Sequence, residues 1–108
     1  MPKIVFVGPD EVCIRLRAFY HLFRKNGWQV TECRDLVHAQ RQREIKAMVV
    51  YAYGDRDVQE YLNWINPPPT IWFTFCAQDV VPKGTTNMRA VVLPSELFEQ
   101  VCKISNVH

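Results

Sequence analysis

Two stretches, Ala47–Tyr53 (AMVVYAY) and Thr70–Cys76 (TIWFTFC), place apolar side chains at consecutive positions rather than at every second one. Successive side chains of a strand point to opposite faces, so such runs must be covered on both sides. Between them Val58, Tyr61, Leu62 and Ile65 recur at helical spacing. A strand, a helix and a second doubly covered strand make a crossover unit. That unit forces parallel pairing and fixes the handedness of the connection.

The remaining elements fit around this unit. Lys3–Val7 is a short apolar run closed by Gly8-Pro9-Asp10, which reads as another buried strand. From Glu11 the period changes, and Val12, Leu16, Phe19, Tyr20 and Phe23 form one helical stripe, with Asp10 as its N-cap and Asn26-Gly27 as its stop. Trp28–Cys33 alternates apolar and polar, the pattern of an edge strand with one wet face. Asp35 caps a second, polar helix running to about Lys46, with a thin apolar face of Leu36, Ala39 and Ile45. Asp55 caps the third helix, and Pro67–Pro69 end it. Ala77–Met88 reads mainly as loop, Arg89–Leu93 as the fifth strand, and Pro94-Ser95 as the start of a helix with Leu97, Phe98, Val101 and Ile104 inward. Trp72 is expected in the core and Trp64 partly exposed beside the prolines.

Strict alternation of strands and helices predicts an α/β fold in three layers. The sheet has five strands, is mostly parallel in the flavodoxin-like order 2-1-3-4-5, and carries helices on both faces. One domain spans residues 1–108.

Composition removes several function classes. The chain has 13 Lys and Arg against 11 Asp and Glu, a net charge of +2, too small for a strongly electrostatic nucleic-acid binder. The charge is uneven: residues 1–46 carry a net +4 and residues 47–108 a net −2. Arg15, Arg17, Arg24, Lys25, Arg41, Arg43 and Lys46 sit on helices or their ends, which keeps nucleic acid as a secondary partner class. Cys13, Cys33, Cys76 and Cys102 form no C-x-x-C and no zinc spacing with a His, so they read as reduced thiols. MPKIVFVGPD has only four consecutive apolar residues, too few for a signal sequence or a membrane span. The expectation is a cytoplasmic protein without cofactor, metal or membrane contact.

In such a sheet, ligands approach the carboxyl ends of the strands. Those ends gather the candidate site residues Gly8, Pro9, Asp10, Asp55, Asp57, Thr74, Gln78 and Ser95. With these positions in view, the chain resembles, over nearly its whole length, the receiver domains of bacterial response regulators. The resemblance implies an acidic pair after the first strand, a phosphorylated Asp ending the third, a hydroxyl ending the fourth and a Lys-Pro after the fifth. Here the first position reads Val7-Gly8-Pro9-Asp10, the third strand offers Ala52 or a tyrosine, the fourth keeps Thr74, and the fifth reads Leu93-Pro94. Asp55 lies about three residues too late to act as the phospho-acceptor. Phosphorylation needs a carboxylate nucleophile beside a metal held by carboxylates, so these replacements remove the chemistry. What remains is a non-catalytic signalling or protein-interaction module. By the same resemblance, Asp79–Asn87 and Ser95–Ile104 form the face that pairs with a protein partner or a second copy.

Two other readings rest on the same residues. Asp10, Asp55 and Asp57 around a metal would make a small nucleotide- or nucleic-acid-processing enzyme, toprim-like or deoxyribosyltransferase-like, although the Glu such enzymes use is missing. The Gly8-Pro9 turn could hold an anion on helix amides. His21, His38 and His108 are scattered without a carboxylate pattern, and no G-x-G-x-x-G, Walker or G-x-S-x-G sequence occurs.

Overall fold

In the computed structural model, which describes residues 1–51, 55–74, 80–89 and 91–106, β1 (Lys3–Val7) is bonded on both sides. One neighbour is β2 (Gln29–Cys33) and the other β3 (Ala47–Val50); β4 (Thr70–Thr74) and β5 (Thr86–Arg89) follow, giving the order β2-β1-β3-β4-β5. All four pairings are parallel, with Val7 opposite both Cys33 and Val50. The strand order and the edge position of β2 are those the sequence predicts.

The consecutive apolar runs divide between two cores. Ile4, Phe6, Ala47, Val49, Ile71 and Phe73 face α1 (Asp10–Lys25) and α4 (Pro94–Ser105). Val5, Val7, Met48, Val50 and Trp72 face α2 (Leu36–Gln40) and α3 (Asp55–Leu62). The first core is built around rings: Phe23 meets Phe6 at 5.8 Å, Trp28 at 5.6 Å and Phe98 at 5.1 Å. Truncating such a ring to Ala costs about 3–5 kcal/mol.

The end of α1 follows from three residues. Gly27 takes φ +85°, the Trp28 amide donates to Phe23 O at 3.0 Å, and the Gly27 amide donates to Arg24 O at 3.1 Å. This is a Schellman closure, and the Trp28–Phe23 ring contact is the apolar contact that accompanies it.

Several elements depart from the sequence expectation, each for a physical reason. Pro9 rather than Asp10 stands at the N-cap of α1, and no side chain caps that end. Asp10 is already the first helical residue. Asp35 does cap α2, accepting from the His38 amide at 2.9 Å, but the helix stops at Gln40 instead of about Lys46. Only Leu36 and Ala39 are buried, and a short helix lasts no longer than the face it can bury. In α3, Val58 and Tyr61 are buried but Leu62 and Ile65 are exposed, because the helix ends at Leu62. Asn66, a residue type that tolerates left-handed backbone, then takes φ +55°. Finally, β5 is Thr86–Arg89, three residues earlier than Arg89–Leu93. As an edge strand it needs one half-buried face, which Thr86 and Met88 supply. Val91 and Leu93 instead lie in the connection that precedes α4, exposed at 91% and 63%.

Candidate functional site

The carboxyl end of the sheet forms a crest where β1 hands over to α1. The Gly8 amide donates to Cys33 O at 3.0 Å, and the Tyr51 amide donates to Val7 O at 2.8 Å. These bonds draw the chain after β3 tightly against Gly8. A Cβ at Gly8 would lie 2.9 Å from Tyr51 O and 3.1 Å from Val12 Cγ1, so the glycine is required by close approach. Its carbonyl accepts from the buried Cys13 thiol at 3.3 Å. Burial, with the charges of Glu32 and Asp10 adding, pushes that thiol upward in pKa, so it stays protonated. Pro9 has no amide to offer, and its carbonyl receives Val12 N and Cys13 N at 2.9 and 3.0 Å. Asp10 and Glu11 occupy the first turn and oppose an anion there.

The carboxylates divide between the two faces. Asp10 stands on α1, over the aromatic core, and its charge reaches Cys13. Asp57 stands on α3, over the other core. Burial pushes the Asp57 carboxyl upward, with Glu60 and Asp35 adding and Arg56 opposing. Burial also opposes ionisation of Asp35, but hydrogen bonds from the His38 ring (2.6 Å) and amide (2.9 Å) hold its carboxyl below its ordinary range. Asp55 opens α3. Among the described residues, no three His, Cys, Asp or Glu side chains gather closely enough to hold a metal ion.

Thr74 ends β4, buried, with its hydroxyl donating to Asn87 Oδ1 on β5 at 3.1 Å. Ser95 is exposed in the first turn of α4; Leu93 is the N-cap and Pro94 the first helical residue, and no side chain caps this end. Leu93 itself is exposed. Gln78 and Ala52 lie outside the described residues.

Two clusters escaped the sequence reading. On the β2 edge, Arg17 grips Glu32 through Nε–Oε1 at 2.9 Å and Nη2–Oε2 at 3.4 Å, and its hydrogen bond holds the Glu32 carboxyl down. The buried Tyr20 hydroxyl lies beside Glu32 but outside hydrogen-bond geometry; burial, then the Glu32 charge, pushes it far upward. At the opposite end of the sheet a cleft of about 340 Å³ is lined by Gln40, Gln42, Glu44, Ile45, Trp64, Asn66 and Pro68. Trp64, expected from the sequence to be partly exposed beside the prolines, is half-buried in its wall.

No protein-family model matches the sequence, and no curated protein matches it. Solved structures do. The receiver domain of the hybrid histidine kinase CckA superposes with a TM-score of 0.68 at 17% identity, covering 95% of this chain and 98% of that one. A two-component response regulator from Clostridium difficile superposes with a TM-score of 0.73 at 14% identity, covering 98% and 97%. The chain therefore has the receiver-like, flavodoxin-like fold over nearly its full length.

Proposed function

We propose that this chain is a non-catalytic, receiver-like signalling module, cytoplasmic and made of one domain, that acts by contact with a protein partner or a second copy of itself. Gly8 carries this reading. In the receiver-like frame it stands where the acidic pair begins, and the backbone of Tyr51 leaves no room there for any side chain. An exposed Leu93 where the resemblance asks for Lys, and a Thr74 hydroxyl committed to Asn87, support the same view. The contact surface is the β5 side, where the exposed Val80, Val91 and Leu93 flank an edge strand with Asn87 and Arg89 in water.

The test is direct. Incubation with acetyl phosphate and Mg²⁺ leaves the intact mass unchanged; a gain of one phosphate that disappears in Asp55→Asn overturns the proposal. For the surface, Val91→Glu lowers the molar mass seen by light scattering at high concentration, or releases a captured protein partner. If it changes neither, the β5 side is not the contact.

A further inference from the structure

We infer that the cleft at the amino ends of the strands is a binding site for a nucleobase that carries phosphate. It shares no residue with the crest or the β5 side, so the two proposals stand or fall separately.

Position and shape come first. Ile45 leads into β3 and Pro68 into β4, while Gln40 ends α2 and Trp64 and Asn66 follow α3. Two polypeptide returns thus form the walls, and the volume of about 340 Å³ falls within the range of small-molecule sites. Three non-glycine residues among those described have positive φ, and two of them line this cleft: Glu44 at +58° and Asn66 at +55°. Asn tolerates that conformation, whereas Glu does not adopt it cheaply. Strained backbone of this kind concentrates where a ligand is clamped.

The chemistry of the lining selects the ligand. Trp28 and Trp72 are buried in the two cores, whereas Trp64 packs against the second core but is only half-buried, which leaves part of its ring in the cleft wall. Gln40 and Asn66 supply amide donors and acceptors, Gln42 supplies amide donors while its Oε1 accepts from Lys3, and the Glu44 carboxylate accepts from an exocyclic amino group. A flat, hydrogen-bonding, stackable group satisfies that set, and a nucleobase is one. Cations alternate with the lining along the same segment: Arg41, Arg43 and Lys46 are exposed, and Lys3 Nζ sits 2.9 Å from Gln42 Oε1 and 3.3 Å from Arg43 O. An uncharged sugar would also stack on Trp64 but would leave these cations without purpose. Phosphate attached to the base uses both halves.

The experiment is an NMR titration of the ¹⁵N-labelled full chain with CMP, GMP, ribose 5-phosphate and a short single-stranded oligonucleotide. Shifts confined to residues 40–46 and 64–68 and to the Trp64 indole N–H, seen with the nucleotides but not with ribose 5-phosphate, support the site. An oligonucleotide that binds at least about tenfold more tightly than CMP identifies single-stranded nucleic acid as the source; equal affinity identifies free nucleotide. Arg41→Ala with Arg43→Ala, both exposed positions, weakens binding about tenfold and flattens its salt dependence. Trp64→Phe keeps part of the affinity and Trp64→Ala loses it, with the arginine variant deciding should Trp64→Ala not fold. Silence at millimolar nucleotide, shifts elsewhere, binding indifferent to Arg41 and Arg43, or a poly-glutamate peptide binding as well as the oligonucleotide would each overturn the inference. The last result would mean a charge-only surface for acidic protein.

Discussion

The two ends of the sheet use their residues in opposite ways. At the carboxyl end, polar groups are spent on the fold: the Gly8 amide goes to Cys33 O, the Thr74 hydroxyl to Asn87, and the Asp35 carboxylate to the start of α2. At the amino end, the side chains of Gln40, Glu44 and Asn66 line open space, and two residues there hold left-handed backbone. Charge is mixed at both ends but weighted differently: Lys3, Arg24, Lys25, Arg41, Arg43 and Lys46 stand at strand starts and helix ends on the amino side beside Glu44, whereas Asp10, Glu11, Asp35, Asp57 and Glu96 share the other end with Arg34, Arg56 and Arg89. The carboxyl end is where this fold ordinarily places its ligands. In this chain the cleft of about 340 Å³ lies at the far end.

The largest expected effect lies at the crest. Gly8→Ala adds a methyl 2.9 Å from Tyr51 O, a backbone atom that cannot swing aside. Overpacking of this kind costs about 1–3 kcal/mol, read as a lower urea midpoint at unchanged slope. A variant as stable as the parent would mean that the approach of β3 to Gly8 relaxes easily, and the contrast between the two ends would fail.

The next two effects have opposite signs. Asp35→Ala removes the acceptor for the His38 amide and costs about 1 kcal/mol. Because the Asp35 carboxyl sits below its ordinary 3.8, that contribution is full at neutral pH and fades as pH falls through the native value. The gap between parent and variant therefore closes in acid. Glu44→Gly, at the amino end, should instead stabilise. Relieving a left-handed residue returns about 1–2 kcal/mol, and the extra freedom of unfolded glycine takes back about 0.4–1 kcal/mol. A net gain accompanied by weaker nucleotide binding is the signature of strain kept for a ligand. A loss of stability would show that Glu44 merely serves the turn.

The contrast between the ends also explains what the sequence revealed. Strand order was legible because β1, β3 and β4 are buried on both faces, and their unbroken apolar runs have no other use. The Schellman end of α1 was legible in Asn26-Gly27. β5 was misplaced by three residues because a half-wet edge strand, TNMR, carries weaker periodicity than the AVVL that follows it. The end of α2 was missed because its residues beyond Gln40 have no face to bury. Of the amino-end cleft, Pro67–Pro69 marked the return after α3, but no local signal marks a glutamate such as Glu44 for left-handed backbone. The closure of the crest at Gly8 could not be read either, since it comes from a carbonyl 43 positions later.

The smallest effect tests how the crest tolerates its remaining carboxylates. Asp57 lies in the first turn of α3, where the helix dipole favours a negative charge. Burial and the neighbouring charges of Glu60 and Asp35 disfavour it, and the upward shift of its carboxyl shows that they prevail. A carboxyl raised above 3.8 in the native state supports folding while it is protonated and loses that support as pH rises through its native value. Asp57→Asn should therefore be neutral below that range and slightly more stable than the parent at pH 7. Solvent screens a half-exposed group, so the gain should stay within about 0.5 kcal/mol. Parallel urea titrations at pH 3 and pH 7 check the sign. If the variant is less stable at pH 7 and adding Mg²⁺ widens the gap, the ionised Asp57 is holding a cation, and the carboxyl end has kept chemistry that its fold contacts would otherwise have consumed.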